Sequence, residues 1–383
     1  MIKHKMINIS KQFAAKLESL ESDIIAAGSI PDSIIQEMKA AGMFRLLQPK
    51  QYGGFEVDPH TLFEIQGIFS QAIMSAGWLV GLLNLQAWQL ALMAQQAQDD
   101  VWSKEADALI SSSFMPAGKV EKAGGGYNIS GHWKYSSGCA YSSWILLGGL
   151  IYEDGYPPDY RAFMIPRREC RIIEDWQVVG LQETLSHSVS CEGVFVPEHR
   201  TFRAVSGFNC DCPGQSVNSG DLYRIPFGQL FGLCISLPAV GALEGALRKG
   251  VQDTENPKLK SSSAPTDLQL ALANANSTVQ DCKVIAWKNI EFLIEQARER
   301  SLPMLGDRTR IRLDSTRISH KCLQAAAELF TANGTSSLSV NDKYSRVWRD
   351  ICASNMHAGN SIGRFAKLSA EAMMGRDVYD PLL

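Results

Sequence analysis

Two changes of hydrophobic period divide this chain, and they constrain its fold more than any single motif. From Met6 to about Ala108, Ile24, Ile25, Ile34, Ile35, Met38 and Met43 recur near the helical period, punctuated by Gly28, Pro31, Gly42 and Gly53-Gly54. Beyond Leu109 short β-rich runs take over. They are Tyr127–Tyr135 after the triple glycine Gly124–Gly126, then Trp144–Ile151, Arg161–Ile165, Trp176–Leu181 and Val189–Val196. A turn-rich connector, Ser206–Asp221, ends that region, and the helical period then persists. A helix around Phe227–Lys249 precedes one opened by a Thr266/Gln269 capping box, with Leu272, Ala275, Val279, Cys282 and Ala286 inward and a stop before Pro303. A third runs from about Asp307 to the Asn333-Gly334 cap. A fourth begins near Asn341 and carries Val347, Ile351, Ala358, Ile362 and Phe365. The pattern predicts an α+β chain in three domains: an N-terminal helical domain (1–109), a middle antiparallel β domain (110–205) and a C-terminal four-helix bundle (206–383).

Charge and composition remove several function classes. With 37 basic against 40 acidic side chains the formal net charge is −3, so no basic field holds a phosphate backbone and nucleic acid is not an expected partner. Hydrophobic residues make up 45% and charged residues 20%, the balance of a globular chain rather than a disordered one. The uncharged stretch Ile65–Gln98 has the length of a membrane span. It carries Asn84, Gln86, Gln89, Gln95 and Gln96 without a flanking basic cluster, so it reads as a buried helix pair with no membrane partner. Met1–Ser10 is basic but lacks the apolar run of a signal peptide. Nine scattered cysteines, an odd number, point to reduced thiols in the cytoplasm, and Cys210 and Cys212 read as loop thiols. No G-x-G-x-x-G follows a strand, no P-loop or G-x-S-x-G occurs, and the seven histidines form no H-x-x-x-H pair, so no metal is expected.

Longer motifs carry more information. The segment Met43-Phe-Arg-Leu-Leu-Gln-Pro-Lys-Gln-Tyr-Gly-Gly54 ends in a Pro-x-x-Tyr-Gly-Gly turn. With Gly131-His-Trp-Lys-Tyr-Ser-Ser-Gly138, Phe195-Val-Pro-Glu-His199 and Trp348-Arg-Asp350, it resembles the acyl-CoA dehydrogenase superfamily over nearly the whole chain. The resemblance implies an acyl-CoA dehydrogenase-like fold in the same three-part order. Trp88–Trp102 and Tyr135–Gly138 look most like the oxygenase components of two-component flavin monooxygenases, such as phenol, indole and polyketide hydroxylases. Three departures favour that branch. Where the dehydrogenases place a catalytic glutamate about two turns after Arg-Asp, this chain has Asn355-Met-His-Ala-Gly359, with no carboxylate base. The Arg-x-x-Phe-Gly motif that helps retain FAD is replaced within Arg248–Asp267 by Lys249-Gly250 and a Pro/Ser-rich loop. The Trp-x-Thr flavin contact becomes Tyr135-Ser136-Ser137.

The resemblance implies reduced flavin (FMNH2 or FADH2) from a separate NAD(P)H:flavin reductase, O2 as co-substrate, a C4a-hydroperoxide, and hydroxylation of an aromatic or heteroaromatic small molecule. Flavin contacts would come from Phe114, Met115, Tyr135, Ser136, Ser137 and Trp176. Catalytic roles fall to Ser137, near N5, and His357, near the peroxide or substrate. Strand alternation would put Trp133, Tyr135 and Ser137 on one face. A hydroxyl that retains the N5 proton, in a site from which water is excluded, delays loss of hydrogen peroxide. Imidazole is the side chain best poised to exchange a proton near neutrality. Trp78, Leu82, Gln86, Trp88 and His357 would line the substrate. Gln86 stands where phenol-hydroxylating relatives carry a histidine, and it can only hydrogen-bond, which leans toward an indole or fused ring. Each residue also has a plainer reading: core aromatics, a strand serine, a buried histidine satisfied by backbone. Two other functions stay open, an FAD-dependent acyl-CoA dehydrogenase with a displaced base and a non-catalytic flavin-binding relative. FMN against FAD and transfer to carbon, nitrogen or sulfur are likewise open. A homo-oligomer, dimer or tetramer, is expected, with the apolar tail Val378–Leu383 seeking a neighbour.

Overall fold

The computed structural model describes residues 2–153, 155–255 and 266–383. Helices come first: α1 (Ile2–Ser19), α2 (Glu21–Ala27), α3 (Asp32–Ala40), α4 (Pro59–Ala72), α5 (Met74–Leu92) and α6 (Gln95–Trp102). The uncharged stretch is the helix pair α4–α5, and every residue of α5 except Leu82 is buried. Its polar residues are there for a reason. Asn84 accepts the Leu46 N–H and donates to the Met43 carbonyl, so the chain after α3 is fastened to the core through one side chain.

Seven strands follow: β1 (Ile110–Ala123), β2 (Gly126–Trp133), β3 (Trp144–Ile151), β4 (Asp159–Pro166), β5 (Arg171–Ile173), β6 (Ser188–Pro197) and β7 (Thr201–Arg203). They form one sheet in the order β5-β6-β2-β1-β3-β4-β7. The sheet is antiparallel except at one join, where β1 and β3 run parallel, so the expected purely antiparallel domain is corrected to a mixed one. The parallel join arises because β2 turns back on one side of β1 while β3 returns along the other. Alternation along β3 splits the two faces: Ile145 and Leu147 enter a core within the sheet domain, while Trp144 and Leu146 join the helical core. The predicted strand Trp176–Leu181 is not one. That segment is irregular and ends in a short turn, Gln182–Thr184, flanked by Leu181 and Leu185 at φ 55 and 45.

The last part holds α7 (Ala204–Asn209), α8 (Phe227–Glu255), α9 (Thr266–Arg298), α10 (Leu305–Ala332), α11 (Lys343–Asn355) and α12 (Ile362–Met373). Helix α8 is long and apolar enough to cross a membrane, yet it is the buried centre of the bundle, packed on α4, α5 and α10. It contains Pro238, which cannot donate to the Cys234 carbonyl one turn earlier. The Gln66 side chain of α4 makes that bond instead, at 2.9 Å. The Thr266 side chain of the capping box and the Pro/Ser-rich loop at 256–265 lie outside the described residues.

Two expectations fail in this part. The fourth helix is two: α11 stops at Asn355, and a 3-10 turn, Ala358–Asn360, precedes α12. Asn360 donates to the Ser354 and Ile235 carbonyls and accepts from Ser236, so contacts from α8 hold the break open. The tail finds its neighbour within its own chain. Leu383 and Val378 are buried with Phe365, the Arg312 Nε donates to the Leu382 carbonyl at 2.8 Å, and Arg308 donates to the Leu383 carbonyl at 2.6 Å.

Candidate functional site

Most of the singled-out residues meet where α5, α8, the β1–β3 join and the α11–α12 break come together. On α5, Trp78, Leu82 and Gln86 follow at i, i+4 and i+8 and so share one stripe. Trp78 donates its indole N–H to Ser137 Oγ at 3.1 Å and meets the His357 ring edge-on at 6.0 Å. Phe231 of α8 lies 5.7 Å from both His357 and Phe114, and Phe227 continues the wall to Trp88. Trp88 therefore stands behind Phe227, fully buried, with its N–H given to the Leu222 carbonyl. Gln86 is also buried, yet neither of its carboxamide atoms has a hydrogen-bond partner among the described residues. An orphaned buried amide is costly unless a ligand completes it.

Ser137 is not on a strand. β2 ends at Trp133, whose ring is buried and donates to the Gly148 carbonyl, while Tyr135 turns outward at 56% exposed. The expected common face of Trp133, Tyr135 and Ser137 is therefore wrong, because residues 134–140 leave the sheet and turn at Gly138, φ +74. What fixes Ser137 is the irregular loop after β5. Its Oγ lies 2.7 Å from Ser186 Oγ, Ser186 Oγ lies 2.7 Å from Thr184 Oγ1, and Thr184 Oγ1 reaches the Leu181 carbonyl at 2.8 Å. Backbone bonds from Ser136 N to His187 O and from Gly138 N to Thr184 O lock the two segments together. Ser136 is buried and its hydroxyl has no partner among the described residues.

Trp176 is half-buried beside Tyr135, ring centroids 5.3 Å apart, and donates its indole N–H to that same Leu181 carbonyl. His187 accepts the Trp176 backbone N–H on Nδ1, a structural task, and is half-buried. Phe114 and Met115 sit in β1 where its pairing with β3 shifts between Ser113 and Gly118, so this backbone bulges away from the sheet. Met115 is 52% exposed.

His357 caps the 3-10 turn rather than lying on a helix. Its Nδ1 accepts the Gly359 N–H at 3.0 Å, so the neutral ring carries its proton on Nε2. Burial, helped by the Arg312 charge, pulls its pKa down to about 4, which corrects the expectation of a group titrating near neutrality. Arg312 also donates to the Gly359 carbonyl at 2.7 Å, so one buried guanidinium both shapes the turn and depresses the imidazole.

Three participants were not singled out from the sequence as site residues: Thr184, Ser186 and Arg312. The first two lie in Thr184-Leu-Ser-His-Ser188, where a cluster of three hydroxyls is the signal the sequence offers. Arg312 gives no local signal. Asp350 stood only as a landmark, yet it accepts the Leu181 N–H at 2.7 Å from α11. Burial and nearby Glu183 push its pKa up to about 7. A cavity of about 410 Å³ beside this loop is lined by Glu183 and Asp350 with Lys343, Arg346 and Arg349, and Ser137 is not in its lining.

Comparison with known proteins decides what this arrangement belongs to. Residues 6–106 match the acyl-CoA dehydrogenase N-terminal domain and residues 233–362 its C-terminal domain. The oxygenase subunit HsaA of a flavin-dependent monooxygenase from Rhodococcus jostii is 34% identical, covering 92% of this chain and 94% of that protein. The chain belongs to the flavin-monooxygenase branch of the acyl-CoA dehydrogenase superfamily. Another relative in the branch, the oxygenase component of an FADH2-dependent resorcinol hydroxylase from Rhizobium, is 28% identical over 91% of this chain and 89% of its own length. The crystal structure of the HsaA monooxygenase from Mycobacterium tuberculosis superposes with a TM-score of 0.94 at 29% identity, covering all of both chains. In this branch the group to be accommodated is a flavin. The site fits one: two half-open rings (Tyr135, Trp176) and the orphaned Ser136 hydroxyl adjoin Ser137, and the bulged backbone at Phe114–Met115 connects to it through Phe231, His357 and Trp78.

Proposed function

We infer that this chain is the oxygenase half of a two-component monooxygenase and hydroxylates an aromatic or heteroaromatic small molecule. When bound, reduced flavin from a separate NAD(P)H reductase supplies the two electrons that split O2 between the product and water. The observation that carries the reading is the meeting, at one aromatic wall, of a hydroxyl held by a hydrogen-bond chain and a neutral imidazole. Ser137 holds the flavin N5 proton, while Tyr135, Trp176 and the Phe114–Met115 backbone position the ring. Ser136 offers its free hydroxyl to the same ring. His357, with Nε2 protonated, donates a hydrogen bond to the oxygen being transferred. Phe231, Trp78 and Leu82 keep water out and stack a flat substrate, and the unpaired Gln86 amide takes that substrate's polar edge, as a hydrogen-bond partner and not as a base.

A cytoplasmic location is supported by nine free thiols. Assembly into a dimer or tetramer is supported by Leu338, Met356 and Met373, which are large, apolar and exposed.

The test mixes the protein with photoreduced FMN or FAD, admits oxygen, and measures hydrogen peroxide and hydroxylated product across phenols and indoles. Product should form at the expense of peroxide, and Ser137→Ala should shift the balance several-fold toward peroxide. Peroxide equal to flavin consumed, at the rate seen without protein, would defeat the reading.

A further inference from the structure

The hydroxyl chain at Ser137 has a direction, and that direction can be derived atom by atom. Its inner end is the Leu181 carbonyl, which can only accept, so Thr184 must spend its single proton there. Thr184 Oγ1 is then an acceptor for Ser186, and Ser186 Oγ an acceptor for Ser137. In the reverse direction Thr184 and Leu181 would face each other lone pair to lone pair at 2.8 Å. The outer end is fixed as well, because the Trp78 indole N–H can only donate, and it donates to Ser137 Oγ. The Ser137 proton is thus committed inward to Ser186. What remains at Ser137 is one lone pair and no proton.

Resting on the reading that Ser137 faces flavin N5, we propose that the Ser137–Ser186–Thr184 relay makes the site select reduced over oxidised flavin, with Ser186 and Thr184 as positioning residues. Reduced flavin bears a proton on N5 and meets an acceptor. Oxidised flavin bears a lone pair on N5 and meets another lone pair. Selection by protonation state suits a chain that must capture its flavin after reduction elsewhere and release it after oxidation. The relay sits in a firm frame: Thr184 and Ser186 are buried, and Asp350 and Trp176 fasten Leu181 from two sides.

Anaerobic equilibrium dialysis of the full chain with oxidised and with photoreduced FMN or FAD gives two dissociation constants and their ratio. Ser186→Ala frees the Ser137 proton to donate to oxidised N5, so the ratio should fall about tenfold, the worth of one hydrogen bond. Most of that change should come from tighter oxidised binding. The bound-flavin potential should fall by about 30 mV, the equivalent of tenfold for two electrons. Thr184→Val should act in the same sense, and Thr184→Ser should restore the native ratio, which a merely structural role would not require. Ser137→Ala separates this inference from the one beneath it. If Ser137→Ala leaves both constants unchanged, Ser137 is not at N5 and both fail. If Ser137→Ala abolishes the preference while a normally melting Ser186→Ala keeps the native ratio, the relay inference alone is overturned.

Discussion

At His357 two effects act in one direction: burial and the Arg312 guanidinium both disfavour the imidazolium. The folded value, about 4, lies below the usual 6.5, so the unfolded chain takes up this proton first as pH falls. Stability from the neutral ring is therefore complete above about pH 6.5 and is lost on descending toward 4. Between pH 6 and 8 product formation per flavin should show no inflection belonging to this residue. An inflection near 6.5 that disappears in His357→Asn would refute the neutral-donor role. His357→Ala should cut product formation by ~10²-fold, as loss of one well-placed donor does, while leaving flavin affinity intact. Residue identities were thus partly legible in the sequence. Ser137 and His357 were reached through family motifs, whereas the strand-face argument for Ser137 and the titration argument for His357 failed. Both failures have one cause: side-chain direction and pKa are set here by the tertiary surroundings, the Ser186 contact at Ser137 and, at His357, burial with the Arg312 charge added to it.

Between elements, the contact of α11 with the loop carrying Thr184 and Ser186 governs the site. Gly180 is needed there, since a Cβ would meet the Arg349 carbonyl at 2.2 Å. Asp350 closes the same contact through the Leu181 N–H. Its folded pKa of about 7 lies above the ordinary carboxyl value, so the fold prefers the protonated acid and loses stability as pH rises from about 4 to 7. Asp350→Asn keeps an acceptor for Leu181 and removes that penalty. Its stability relative to the native chain should rise across this window by about 1–3 kcal/mol in denaturant titrations. A constant difference from pH 4 to 7 would show that Asp350 is not the group responsible. Helices with sustained periodicity, α8 to α10, were readable because burial repeats along them. The end of α11 was not, because Asn360 and Arg312 impose the break through contacts with other elements. The bulge in β1 was hidden for a similar reason: it answers to the pairing with β3 rather than to its own residues.

At the scale of the molecule, the buried guanidinium groups of Arg308 and Arg312 tie bundle, tail and site together. Burial lowers their pKa values only to about 10 and about 9, so both are charged at neutral pH. Each lies over a ring, Phe208 and Phe365 respectively, at 4.0 Å, and each donates to a main-chain carbonyl of the tail. Buried charges that lose their partners are expensive. Inserting one residue between Asp377 and Val378 should therefore cost about 3 kcal/mol of unfolding free energy, whereas Leu382→Val should cost under about 1 kcal/mol. Equal melting of the two variants would mean that the guanidinium groups do not hold the tail. Because the two guanidinium groups take main-chain oxygens, which every residue possesses, their grip is strict about the tail's count, while Val378, Asp380 and Leu383 are held by identity through burial and the Arg364 ion pair. Across descendants of this chain, the tail should keep its spacing from Arg312 together with the buried side chains of Val378 and Leu383 and the Asp380 carboxylate, and a shift of register there would be felt at His357.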